Sequence, residues 1–171
     1  EGGLVHRLDI QTSGLLVCAC SPVAFAALTD LFRRHLATKT YLAIVQGEMS
    51  DDCIIDWPVA HHARSDRRMV AVRPGEPKTW RGQPPPARSE VVIIEKLSGM
   101  TVVSVAVHQA QMHQIRVHLA ALGHPLVADA VYGGPTPAEG WPGGLLRHAL
   151  HAWKLDMPHP SGPGELHVRA E

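Results

Sequence analysis

Cysteine is scarce in this chain: 171 residues contain three, Cys18, Cys20 and Cys53. So few, and an odd number, do not suggest a disulfide framework and fit a reducing compartment. Long apolar runs are missing too. The longest, residues 15–20, has six residues, against about 20 for a membrane helix, and no signal-peptide pattern is visible, so a cytoplasmic location is expected. There is no excess of one charge: 16 Lys and Arg balance 16 Asp and Glu. That balance excludes an acidic tail, a polybasic membrane anchor and a histone-like basic protein, and any contact with nucleic acid has to be local. Tyrosine and phenylalanine number two each, so an aromatic in a polar setting is not easily dismissed as filler.

What is present describes a folded domain. Apolar residues make up 45% and charged residues 19%, ordinary values for one soluble domain with a continuous core. Arginine outnumbers lysine twelve to four, and there are twelve histidines. Genomic base composition accounts for such a bias, and so does a need for forked donors to phosphate or carboxylate.

Alternation over residues 4–8 and a short apolar run over 14–20 predict two strands around the loop Asp9-Ile10-Gln11-Thr12-Ser13. Ser21-Pro22 is a helix-start signal, and Leu28, Leu31, Phe32 and Leu36 repeat at helical spacing, which predicts a helix near 22–37. A strand is expected over 41–46. Two short strands are expected between 53 and 72, joined by Arg64-Ser65-Asp66-Arg67-Arg68. The prolines of 74–88 mark a long loop. Residues 90–97 and 100–108 form a hairpin about Ser98-Gly99. Ile115, Leu119 and Leu122 give a helix closed by Gly123. Residues 133–144 read as a loop, and 149–157 and 165–169 as closing strands. The fold class is α+β: a mixed, mainly antiparallel central sheet flanked by a few helices and long loops.

Three segments carry candidate chemistry. Asp9 lies on a loop at a strand end with the hydroxyls of Thr12 and Ser13 nearby; this is either a ligand-facing carboxylate or an Asp and a Thr that cap a turn. Tyr41 opens a strand, where it offers a flat ring to a base or fills the core with its hydroxyl satisfied. Arg116 follows a stripe residue and so belongs at the edge of the buried face, where its guanidinium needs an acceptor.

Taken together, the motifs H-R-L-D-x-x-T-S-G (His6 to Gly14), K-x-Y (Lys39 to Tyr41), H-Q-I-R-x-H-L with G-H-P-L and D-x-x-Y-G (His113 to Gly133), and R-H-A-L-H-A with L-x-x-P-H-P (from Arg147) resemble the RluA-type pseudouridine synthases. They cover about a third of the residues and follow the family order. The resemblance implies the pseudouridine synthase fold, an essential carboxylate at Asp9, pairing of Arg116 with Asp9, stacking of Tyr41 on uracil, and entry of Arg7 into the RNA helix vacated by a flipped nucleotide. His6, Thr12, His113 and Gln114 are expected to contact RNA. The implied substrate is structured RNA, ribosomal or transfer. A monomer is expected, without metal, other cofactor or membrane. Isomerising uridine to its C-glycoside breaks N1–C1′, joins C5 to C1′ and releases the C5 proton with no net redox change.

Several departures stand against the family pattern. Ala110-Gln111-Met112 replaces the usual T-G-R or T-G-K, and Ala128 replaces a glycine, so a backbone angle reserved for glycine is expected to be inaccessible there. Residues 1–171 are expected to be a catalytic domain lacking its N-terminal portion, with a K-P-x-G motif, and any upstream RNA-binding domain. A catalytically silent RNA-binding relative is the alternative. A histidine-rich metal hydrolase is a rival class, but His113 and His118 are five apart, unlike the i, i+4 pair of H-E-x-x-H, and Cys18-x-Cys20 is tighter than zinc spacing.

Overall fold

The structure, a computed structural model, describes residues 3–133 and 140–170. In chain order the elements are β1 (Ser13–Gly14), α1 (Pro22–Arg33), β2 (Thr38–Gln46), β3 (Cys53–Ile55), β4 (Val59–His62), β5 (Met69–Ala71), β6 (Trp80–Arg81), β7 (Ser89–Leu97), β8 (Met100–Val107), α2 (Gln114–Ala121), a 3-10 turn (Pro142–Gly144), β9 (Leu150–Pro158) and β10 (Glu165–Arg169). Seven strands form one sheet in the order β1-β9-β2-β8-β7-β3, with β10 also on β9, and β5-β4-β6 form a smaller one. Every pairing of the large sheet is antiparallel except β1 with β9. The expected mixed, mainly antiparallel α+β class is therefore observed.

Local chemistry sets the helix ends. Ser21 caps α1 by accepting a hydrogen bond from the Ala24 amide at 3.2 Å, with Pro22 in the first turn, the ordinary N-terminal arrangement. The helix ends at Arg33, short of the expected 37, because His35 turns into the left-handed region at φ 57°. Arg33 and Arg34 both pair with Asp30.

The expected strands over 4–8 and 14–20 do not form. Only an isolated bridge joins Leu4 to Cys18, and β1 is two residues long. Alternation failed there because the segment folds back onto its own side chains. The His6 ring accepts the Val17 amide at 3.0 Å in place of a ladder partner. Gly14 is needed where β1 meets β9: its φ is 108°, and a Cβ there would lie 2.2 Å from the Ala152 carbonyl oxygen. The 74–88 loop contains the short β6, and residues 53–72 contain three strands where two were expected.

The core lies on one face of the large sheet. Val45, Val91, Val103, Val105, Val107, Ile115 and Leu119 pack together there, while Leu28 of α1 packs with Leu155 and Met157 of β9. A register irregularity between Thr40 and Tyr41 makes Tyr41 face Ala152 and Lys39 face Leu155. Paired residues project to the same side, so both helices cover the same face. Bulges of this kind redirect side chains near functional clefts; here the cleft opens between the segment around Asp9 and the start of α2, above Lys39 and Tyr41.

Candidate active site

The cleft has a volume of about 260 Å³ and is lined by Arg7, Asp9, Thr12, Tyr41, His113 and Arg116 among others. The structure thus brings all eight residues singled out from the sequence to one cleft. Two of them, His6 and Gln114, also have structural duties. The Gln114 side chain is 2% exposed. It donates to the Arg88 carbonyl at 2.9 Å and the Ser89 hydroxyl at 3.1 Å, and accepts the Gln111 amide at 2.9 Å. Those bonds fix the start of α2 against β7.

Arg116 is the hub. Its Nη1 donates to Asp9 Oδ2 at 3.2 Å, and its Nε and Nη2 donate to the two oxygens of Asp129 at 2.7 and 2.8 Å. The Asp129 side chain is fully buried and that of Arg116 is 6% exposed, whereas that of Asp9 is 20% exposed at the cleft. The forked contact is therefore the deep one, and Asp9 takes the third donor. Burial by itself would lower the Arg116 pKa, but the hydrogen bonds and charge of Asp129, then those of Asp9, raise it above its ordinary value. Burial would likewise raise the Asp129 pKa; the guanidinium and the amides of Val131 and Tyr132 outweigh it and lower it. A carboxylate in this position is accompanied by a cation that is itself anchored from behind.

The approach of Asp129 depends on residue 128. Ala128 adopts φ 59°, so the left-handed angle expected to be closed to it is in fact occupied. The substitution for glycine leaves the turn in place, at the strain of a Cβ in that region.

Asp9 is held from its own side as well. Its carbonyl accepts the Thr12 amide at 2.9 Å. Thr12 Oγ1 lies 2.8 Å from His148 Nε2, and Ser13 Oγ lies 2.8 Å from His151 Nδ1. Two histidines, one just ahead of β9 and one on it, thus clasp the two hydroxyls of the Asp9 loop. Burial pushes the pKa of His148 down to about 4, with the Arg116 charge next in effect, so this clasp is made by a neutral ring at neutral pH.

Tyr41 is 8% exposed and forms part of the cleft floor. Burial, then the charge of Asp9, pushes its phenol up to about 12, which suits a neutral ring that supports a base better than it suits a proton acceptor. His113, at φ 56°, caps α2. Its Nδ1 is 2.9 Å from the Tyr132 hydroxyl and its Nε2 is 3.9 Å from Asp9 Oδ2. Burial lowers its pKa against the opposing pull of Asp9. The Arg116 guanidinium sits 5.0 Å over the Tyr132 ring, and the Tyr132 hydroxyl accepts the Met69 amide at 2.7 Å, tying the site to the smaller sheet.

Sequence reasoning did not assign roles to Asp129, Tyr132 and His148. The signal was in hand, since Asp129 and Tyr132 are named letters of D-x-x-Y-G and His148 opens H-A-L-H-A. Among the described residues no group of three or more His, Cys, Asp or Glu is placed to hold a metal ion. No helix of the described residues is long and apolar enough to cross a membrane.

A mainly antiparallel sheet with one helix-covered face, opening at a carboxylate–guanidinium–carboxylate chain, defines the class. The RNA pseudouridylate synthase family model matches residues 1–121, and the chain belongs to that family. It is 36% identical over 163 residues to ribosomal large subunit pseudouridine synthase D of Nitrosomonas europaea, an alignment covering 94% of this chain and 45% of that protein. It is 35% identical over 178 residues to the Escherichia coli protein of the same name, covering 99% and 52%. Among solved structures, human RNA pseudouridylate synthase domain containing 1 superposes with a TM-score of 0.81 at 27% identity, covering 98% of this chain and 69% of that one. The chain spans about half the length of the curated relatives it matches.

Proposed function

We propose that this protein is an RNA pseudouridine synthase that isomerises uridine in structured RNA, with Asp9 as the essential carboxylate. The observation that carries the reading is the chain Asp9–Arg116–Asp129, whose exposed end opens beside Tyr41 in a cleft large enough for about one nucleoside. A duplex does not fit such a cleft, so the target has to leave its stack, at a cost of a few kcal/mol that pocket contacts and a side chain filling the gap offset. Arg7, exposed at the rim, is that filler.

In the cleft, the Asp9 carboxylate faces the ribose. It acts either as a nucleophile at C1′ or as the base that removes the 2′ proton. Each route breaks N1–C1′ and releases uracil with the bonding electrons; the ring turns, C5 bonds to C1′, and the C5 proton leaves. Arg116 keeps the carboxylate charged and aimed, Tyr41 carries the base as it turns, and Thr12 and His113 border the sugar. The names of the relatives support ribosomal RNA as the substrate, with transfer RNA the second candidate. Residues 1–171 act as a catalytic domain, as a monomer and in the cytoplasm. A tritium-release assay on RNA labelled at uridine C5 tests this reading: the protein releases tritium, and Asp9→Asn abolishes release while leaving RNA affinity within a few-fold. Binding without any release identifies a silent relative instead.

A further inference from the structure

Beside Tyr41 the cleft holds two nitrogen donors, Lys39 and His6, with no carboxylate paired to either among the described residues. Lys39 lies on the same face of β2 as Tyr41 and lines the cleft with it. Among the described residues its ammonium has no carboxylate and no hydrogen-bond partner; its contact is the Phe32 ring, 5.7 Å from Nζ to the centroid. His6 stands beside it, its ring 4.9 Å from the same Phe32 ring. Because His6 Nε2 accepts the Val17 amide, the neutral ring carries its proton on Nδ1, a buried atom whose one polar neighbour is the backbone of Arg7, outside good hydrogen-bond geometry. Burial lowers the pKa of both groups, and the nearby ammonium lowers that of His6 further.

A half-buried cation without a counter-anion carries a desolvation cost, and Lys39, with the poorly partnered His6 beside it, calls for an oxygen from outside the protein. His6, Lys39 and Tyr41 line both the main cleft and a small recess off it of about 10 Å³, the latter with room for one water-sized atom. Resting on the proposed synthase activity, we infer that Lys39, assisted by His6, binds a carbonyl oxygen of the flipped uracil and stabilises the negative charge that the base acquires when N1–C1′ breaks. The electron pair of that bond spreads from N1 onto the carbonyl oxygens and returns as C5 bonds to C1′, with the C5 proton leaving to solvent. A fixed cation aimed at the site of developing charge is the arrangement that lowers such a barrier most.

The test is single-turnover tritium release from a C5-labelled transcript of large-subunit ribosomal RNA, with RNA affinity measured separately at two salt concentrations and folding followed by circular dichroism. Lys39→Met and Lys39→Gln should slow release by about 10²-fold with affinity changed by less than about three-fold. Lys39→Arg should recover most of the rate, because a charge and not a titrating base is required. Release at the unsubstituted rate in both neutral variants would overturn the inference. So would a loss confined to affinity with a shallower salt dependence, which marks a phosphate contact. A Lys39→Arg variant as slow as Lys39→Met would also overturn it. No release from the unsubstituted protein refutes the parent reading, and this inference with it; normal release there with unaffected Lys39 variants refutes only this one.

Discussion

Asp129→Asn separates the part of the site that is structural from the part that reacts. The side chain is fully buried and meets Arg116 at 2.7 and 2.8 Å. Asparagine keeps an oxygen for the Val131 and Tyr132 amides, which Oδ1 now accepts at 2.9 and 3.1 Å, so the turn survives. Its NH2 group, however, is set against the Arg116 Nε–H, donor to donor, and the guanidinium loses its deep counter-charge. Removing one partner of a buried pair costs about 3–5 kcal/mol; the retained oxygen bonds point to the lower figure. At about 2–4 °C per kcal/mol for a domain of this size, the melting temperature should fall by about 6–12 °C. Asp9→Asn gives the contrast, since it loses one 3.2 Å contact from a part-exposed side chain and should cost about 1 kcal/mol. Turnover in Asp129→Asn should fall by about 10²-fold as Arg116 loses its aim. Urea and thermal unfolding followed by circular dichroism, with tritium release alongside, measure all three quantities. A melting temperature for Asp129→Asn within about 2 °C of the unsubstituted protein, or a larger loss for Asp9→Asn, would refute the two-sided anchoring of Arg116.

Other expectations follow from the same contacts. The folded-state pKa of His148 lies at about 4, below its ordinary 6.5. Its contribution to stability is therefore complete above pH 6.5 and is lost as pH falls towards 4, about 3 kcal/mol in all. His6, His113 and His118 are shifted in the same direction, and His148→Gln should flatten part of the fall in urea midpoint between pH 7 and 4.5. Tyr41→Phe should keep turnover within a few-fold, whereas Tyr41→Ala should lose about 1–3 kcal/mol of base stacking, read as weaker binding of a uridine-containing stem-loop. Ala128→Gly relieves a left-handed Cβ and should stabilise the fold by about 1 kcal/mol, visible as a higher urea midpoint.

Much of this molecule was legible in its sequence. The β7–β8 hairpin, the start of α1 at Ser21-Pro22 and the location of α2 follow from periodicity and capping, because those elements answer to local rules. The segment before Asp9 does not: its alternation reads as a strand, but the His6 ring takes the Val17 amide that a neighbouring strand would have taken. The need of Arg116 for an acceptor was visible, yet its principal acceptor was not. Asp129 lies thirteen residues further on, and only a left-handed turn at Ala128 carries its carboxylate back. Lys39 was legible as a motif letter alone, since the lack of a counter-charge shows only when every neighbour is in place.

The most direct test of Asp9 as the centre of an isomerase is a map of pseudouridines across cellular RNA from cells carrying the intact gene, cells lacking it, and cells complemented with Asp9→Asn. One or a few uridines should be modified in the first and unmodified in the other two. Identical maps in all three, or full restoration by the asparagine variant, would contradict the account.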